Sequence, residues 1–338
     1  MRQDVAMSPA PFGPDALGAF VDALRSRIGT VVVGKPEAVD AAVATFLAGG
    51  HLLIEDVPGV GKTTLALSLA RCLDLTASRI QFTADLMPTD VTGLSVYDQA
   101  AREFRFHPGP VFAGVVIADE INRATPRTQS ALLEAMGEGR VSVEGRTLEL
   151  PDPFMVVATQ NPLDMEGTFR LPEAQRDRFL LKVDVPYPKG NEELEILRRM
   201  SVKAPTATRI LDPELTRSLQ DRASSIFVHN LVAEYIVRLI LATRNPADFN
   251  MPDLARVISI GCSSRATLGL VAAARAVALI HGRDYVLPTD VQAIAPDVMA
   301  HRIMLSFDAI ADDVSAAQVV ERILAMVPAP TPVWNNRA

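Results

Sequence analysis

The sequence predicts an α/β protein: a parallel sheet sandwiched by helices, followed by a smaller all-helical domain. Three observations carry this. The apolar runs "HLLIE", "SRIQF", "GVVIAD" and "FMVVATQ" alternate with helical patterns up to about residue 185, as in strands joined by crossover helices. A glycine-rich stretch, "GVGKTT", stands between the first run and a helix striped with Leu65, Leu69 and Leu73. Beyond it, from about residue 188, the strand-like runs stop and amphipathic helical runs take over.

Composition bounds the reading. With 338 residues the chain has room for two domains of ordinary size, and 49% hydrophobic against 22% charged residues describes a globular protein rather than a disordered one. A net charge of −7 counts against a surface built to coat nucleic acid. Cys72 and Cys262 have no neighbours at metal-ligand spacing, which fits a reducing, cytoplasmic setting. No apolar stretch reaches membrane-spanning length, and residues 1–14 hold no apolar leader segment, so neither membrane insertion nor secretion is expected.

Along the chain, residues 1–14 read as a flexible lead-in and 15–187 as the α/β core, opened by a helix over Asp15–Ile28. "VYDQAAREFRFHPGP" reads as a short hairpin or a bent insertion. "RVSVEGRTLEL" has the period of two of a hairpin, with Glu144-Gly145-Arg146 at its turn. Residues 188–204 form a linker and first helix after the prolines of "DVPYPKGNEE". The helical domain spans 205–327, with "LVAEYIVRLILATR" and "RATLGLVAAARAVALIHG" its clearest helices, and 328–338 form a tail.

"IEDVPGVGKTTLA" departs from the phosphate-loop pattern G-x-x-x-x-G-K-[ST] at one place, where Asp56 stands for the first glycine. The strand before it and the helix after it supply the required context. After Pro58, the backbone N–H groups of Gly59, Val60, Gly61, Lys62, Thr63 and Thr64 would cradle phosphates at a helix N-terminus. Lys62 would neutralise the β and γ oxygens of ATP, and Thr63 would ligate Mg2+. Asp56 is tolerable because it ends the strand, where its side chain can turn away from phosphate.

Four further features lie downstream. Asp119 and Glu120 follow a buried apolar strand; Asp119 would hold Mg2+ through water and Glu120 would act as general base on the attacking water. Gln160 and Asn161 end another strand, where a neutral amide can bond the water or the γ-phosphate without adding repulsive charge. "LPEAQRDRF" carries Arg176 and Arg178 on different faces. Arg178 is the candidate for a finger reaching a neighbouring subunit's γ-phosphate, a charge worth a factor of about 10³–10⁵ in rate; a surface ion pair with Glu173 or Asp177 is the plainer alternative. Arg265 stands in the first turn of a helix capped by Ser263 or Ser264, at a dipole cost of about 0.3–1 kcal/mol that a bound anion would offset.

Taken together, these residues resemble the MoxR family of AAA+ ATPases, from about Val31 to Leu180 and more weakly through Arg265. The most specific strings are "GPVFAGVVIADEINRATPRTQSALLEAMGEGRVSV" and "VVATQNPLDMEGTFRLPEAQRDRFLL". The resemblance implies Walker A at Gly61-Lys62-Thr63, Walker B at Asp119-Glu120, sensor 1 at Asn161, an arginine finger at Arg178 and sensor 2 at Arg265. It places Val33 and Gly34, in "VVVGKPEAV", over adenine, and makes the two hairpins the helix-2 insert and the hairpin before sensor 1. It also implies a homo-oligomeric ring, a hexamer, with a chaperone-like role on a protein client and a partner carrying a von Willebrand factor A domain. Lys35 replaces the more usual glutamine, Arg170 a proline and Arg176 an apolar residue, which leaves open whether Arg176 or Arg178 acts in trans. Two other functions remain in view: an ATP-gated scaffold without turnover, and a DNA-acting motor, against which the acidic balance counts.

Overall fold

The computed structural model describes residues 14–32, 35–56, 62–161, 168–185, 187, 190–200 and 213–331. Its centre is a sheet of β1 (Leu52–Asp56), β2 (Ala77–Gln81), β5 (Val115–Asp119), β8 (Met155–Gln160) and β9 (Leu181–Val185), in the order β2-β5-β8-β1-β9. All neighbouring pairs are parallel. The remaining strands of this part form two antiparallel hairpins, β3 (Gly93–Asp98) with β4 (Glu103–Pro108), and β6 (Arg140–Val143) with β7 (Arg146–Glu149).

Strand alternation divides the core between the two faces of the sheet. Leu52, Ile54, Val115, Ile117 and Val157 pack with α1 (Pro14–Val31), α2 (Pro36–Leu47) and α3 (Lys62–Cys72), through buried residues such as Leu24, Phe46 and Leu69. Leu53, Val116, Ala118, Val156 and Ala158 point the other way, toward Val91 of α4 (Pro88–Thr92) and Leu132 and Leu133 of α5 (Pro126–Glu138). Pro126 opens α5 at its first turn, where its missing N–H costs nothing, and Gly139 closes it at φ 65°. That left-handed residue turns the chain directly into β6. The β6–β7 turn is Glu144-Gly145 alone, both at positive φ (51° and 77°); Arg146, expected in the turn, is the first residue of β7 and pairs with Val143, because two left-handed residues already complete the reversal.

The insertion "VYDQAAREFRFHPGP" is a hairpin, with Tyr97 paired to Phe104 across it. Strand β9 is absent from the apolar runs that announce the other four. It lies at the sheet edge, where Lys182 and Asp184 interrupt Leu181, Val183 and Val185, and Lys182 ion-pairs with Glu55 of β1. An edge strand needs no continuous apolar run, so its signal is weak.

After the short α6 (Glu173–Arg176) and α7 (Gly190–Met200), the chain is mainly helical: α8 (Pro213–Ser224), α9 (Asn230–Arg244), α10 (Leu254–Val257), α11 (Ser264–Ile280), α12 (Pro288–Met299), α13 (Phe307–Ala311) and α14 (Ala316–Met326). It is not all-helical as expected: β10 (Ile258–Ile260) pairs antiparallel with β11 (Met304–Leu305), strands too short to show in the sequence pattern. Leu239, Leu270, Ala274, Val298 and Ile323 of these helices belong to the same buried cluster as the α1–α3 face of the sheet. Thr216 donates to the Leu73 carbonyl at 3.0 Å and Gln220 to that of Phe46 at 2.7 Å. The lid therefore shares its core with the sheet rather than hanging from it.

Candidate nucleotide site

The C-terminal ends of β1, β5 and β8 meet at one edge of the sheet, the crevice where parallel sheets bind ligands. Lys62 opens α3 directly behind β1, as the phosphate-loop reading requires. Pro58, Gly59, Val60 and Gly61 lie outside the described residues, as do Val33 and Gly34. Thr63, one residue into α3, donates its hydroxyl to Asp119 Oδ2 at 3.2 Å. Thr63 and Asp119, far apart in sequence, are thus brought together as a pair of hard oxygen donors, the chemistry that Mg2+ selects. Thr64 follows on the exposed side of the helix.

Asp119 is buried and Glu120 sits at the turn beyond it, at φ 56° and ψ 48°. This left-handed backbone is uncommon for a residue with a side chain, and the surroundings hold it. The Thr159 hydroxyl accepts from the Glu120 backbone N–H at 3.0 Å and donates to Asp119 Oδ1 at 3.3 Å, tying the Asp119 carboxylate and the Glu120 backbone to β8. Glu120 Oε2 accepts from Gln81 Nε2 at 2.9 Å and from Arg123 at 3.1 Å. Arg79 pairs with Asp119 at 2.7 Å. None of these four partners stands out in the sequence. Arg79 and Gln81 reach the site only because β2 pairs with β5, setting Gln81 opposite Asp119, and strand order is not written in any local pattern.

Asn161 follows β8, and its carbonyl accepts from Asn122 Nδ2 at 3.3 Å. Asn161, Gln160, Glu55 and Arg176 line a cavity of about 570 Å3 on the α5 face of the sheet. The Nε of Arg176 is buried there with no acceptor. Arg178 goes elsewhere: its guanidinium donates to the Leu133 carbonyl on α5 and lies against Gly137. The two arginines therefore diverge, as their spacing predicts. Arg178 also stands near the N-terminal end of β1, since Leu180 N bonds the His51 carbonyl at 2.8 Å; that end is opposite to the one carrying Asp119. Neither of the ion-pair partners considered for Arg178 engages it in the contacts described; Asp177 pairs with Arg302 and Arg265 instead.

Ser263, not Ser264, caps α11, accepting from the Arg265 amide at 3.1 Å. Arg265 is largely exposed and lies 3.7 Å from Asp177 of the core. A second cavity, of about 500 Å3, opens between Lys35 and Glu37, the end of β9, Tyr187, and Asp297 of α12. Burial pushes the Asp297 carboxyl up to about 7, with Asp184 and Glu37 adding repulsion. Among the described residues no helix is long and apolar enough to cross a membrane.

A phosphate-loop helix start facing a strand-end Asp-Glu pair, with a helical lid packed on the same sheet, is the arrangement of an AAA-type ATPase. Residues 51–181 match the ATPase family associated with various cellular activities (AAA), and residues 254–323 match the AAA lid domain. The chain is 47% identical over 323 residues to Chaperone MoxR1 of Mycobacterium tuberculosis, covering 95% of this chain and 86% of that one. It is 35% identical to Protein MoxR of Methylorubrum extorquens, covering 82% and 86%. The crystal structure of a candidate ATPase from Cytophaga hutchinsonii superposes with a TM-score of 0.89 at 37% identity, over 94% of this chain and 97% of that one. The chain belongs to the MoxR family of AAA ATPases.

Proposed function

We propose that this protein hydrolyses ATP at the interface between subunits of a homo-oligomeric ring, a hexamer, and uses the motion to remodel or mature a protein client. The observation that carries the reading is the link Thr63–Asp119–Thr159–Glu120, which sets a Mg2+-type oxygen pair beside a carboxylate held at a sharp strand-end turn. Lys62 and the amides of residues 59–64 hold the β and γ phosphates. Thr63 and Asp119 would hold Mg2+, which would supply charge neutralisation to the phosphates. Glu120, released from Gln81 and Arg123, takes the proton of the attacking water, and Asn161 orients that water. Arg178 completes the site of the neighbouring subunit, and Arg265 ties the lid to the nucleotide.

Adenine occupies the region of Val33, Gly34 and the cavity beside Tyr187. The hairpins β3–β4 and β6–β7 are the surfaces that meet the client, because Ser95 donates to Glu144 at 2.7 Å, joining them, and Phe104 and Tyr97 are exposed at the end of the first. A relative is named a chaperone, which agrees with a protein client; a von Willebrand factor A domain partner belongs to the same reading. The protein works in the cytoplasm, where Cys72 and Cys262 stay reduced.

The test is phosphate release per subunit measured across protein concentration with ATP and Mg2+. A shared site requires turnover per subunit to rise as subunits assemble. ATP binding without turnover at any concentration identifies an ATP-gated scaffold instead.

A further inference from the structure

Four residues between α6 and β9 are gripped by the lid more densely than packing alone requires. Arg302, whose side chain is only 3% exposed, donates Nε to Asp177 Oδ1 at 2.8 Å. Its remaining nitrogens reach the carbonyls of Asp177 (3.3 Å), Phe179 (2.6 Å) and Leu180 (3.0 Å), and also that of Val298 on α12. The neighbouring His301 ring contacts the Phe179 carbonyl at 3.1 Å, and burial holds its pKa well below the ordinary value, so it is neutral and adds no charge to the cluster. From α11, Ser263 Oγ donates to Asp177 Oδ2 at 2.8 Å, and Arg265 approaches the same oxygen.

Both carboxylate oxygens of Asp177 are therefore bonded to the lid, from two different helices' ends. Arg178 is the next residue. The backbone on either side of it, at 177 and at 179, is hydrogen-bonded to Arg302, while its guanidinium leaves in another direction, across α5. A buried guanidinium making five such bonds is costly to desolvate and is held in one geometry. A lid displacement that moves Arg302 must either carry residues 177–180 with it or break charge-assisted bonds.

We propose that Asp177 is a positioning residue: through Arg302 and Ser263 it fixes Arg178 relative to the subunit's own lid, so that the lid governs the charge a subunit lends to its neighbour. This rests on the trans role of Arg178. Asp177 itself touches no nucleotide. It also gives Arg265 an alternative partner to phosphate, so that a lid arginine moving onto nucleotide loosens one side of the same carboxylate.

The experiment uses full-length subunits mixed in equal amounts. Lys62→Ala subunits cannot hold ATP but still present Arg178; Asp177→Asn subunits keep their own site but misplace the finger. Alone, Asp177→Asn is expected to bind ATP within about twofold of wild type while kcat falls by about tenfold or more. Mixed with Lys62→Ala, turnover should recover, because some Asp177→Asn sites then meet an intact finger. Arg178→Ala with Lys62→Ala is the parallel arm. Recovery in that arm but not with Asp177→Asn overturns the positioning role alone; recovery in neither overturns the trans reading and this inference with it. Wild-type turnover in Asp177→Asn also overturns it. Should Asp177→Asn fail to fold, Ser263→Gly replaces it, since glycine at an N-cap costs only about a few tenths of a kcal/mol; the same recovery on mixing is expected, from a smaller initial loss, and its absence overturns the proposal.

Discussion

Thr159 is the residue on which the Asp119 carboxylate and the Glu120 backbone converge. Its hydroxyl is buried, accepts from the Glu120 amide and donates to Asp119. Thr159→Val keeps the shape and removes both bonds, leaving a backbone N–H unsatisfied beside a strained φ. We expect a loss of about 1–3 kcal/mol in chemical unfolding, together with reduced turnover because Glu120 is no longer held at its turn. An unchanged midpoint and unchanged kcat would remove Thr159 from the account. Asp297 makes a prediction of opposite kind. Its folded pKa, near 7, lies above the unfolded value, so the folded state binds the extra proton between the two. Its favourable contribution is complete below about pH 4 and is lost as pH rises through about 7. Asp297→Asn should therefore match wild type at acid pH and exceed it at pH 8 by roughly 1–3 kcal/mol. Melting curves at both pH values decide this; a variant less stable at pH 8 contradicts the sign.

At the scale of elements, α5 supports Arg178 through a gap that only glycine leaves. A Cβ on Gly137 would stand 2.9 Å from the nearer terminal nitrogen of Arg178. Because that nitrogen ends a flexible side chain, Gly137→Ala displaces the guanidinium at little cost to folding, and alanine's helix propensity returns about 0.5–1 kcal/mol. The expected outcome is a melting temperature equal to or above wild type with a kcat lowered by about tenfold, read in parallel thermal and turnover assays. A kcat unchanged by the substitution would mean that the position of Arg178 on α5 does not matter to hydrolysis. The elements themselves were largely readable. Four of five sheet strands announce themselves as apolar runs, and the β6–β7 hairpin by its alternation; the β3–β4 segment reads equally well as a hairpin or a bent insertion, and the structure makes it a hairpin. Edge strand β9 was not readable, because Lys182 and Asp184 occupy its solvent-tolerant positions. Nor were Gln81, Arg79 and Arg302: each acts through a pairing set by strand order or lid docking, and no spacing along the chain encodes such a contact. The strand-end positions of Asp119, Glu120 and Asn161 were readable because a carboxylate or amide ending an apolar strand is a local pattern.

Across the whole molecule, one buried cluster runs from α1–α3 and the sheet into α9, α11 and α12. The lid and the sheet are thus parts of one packed body, joined by the Asp177–Arg302 pair at the sheet end opposite Asp119, with the cavity beside Asp297 opening between α12 and β9. In the proposed ring, nucleotide binding alone could bias the lid, but repeated cycles of motion need the site to hydrolyse ATP. The most direct measurement is made on Glu120→Gln, an isosteric change that removes the proposed general base and leaves Lys62, Thr63 and Asp119 in place. ATP bound per subunit and phosphate released per minute are read from one preparation. The account predicts ATP retained at wild-type occupancy with turnover reduced by at least about 100-fold; turnover at the wild-type rate would contradict it.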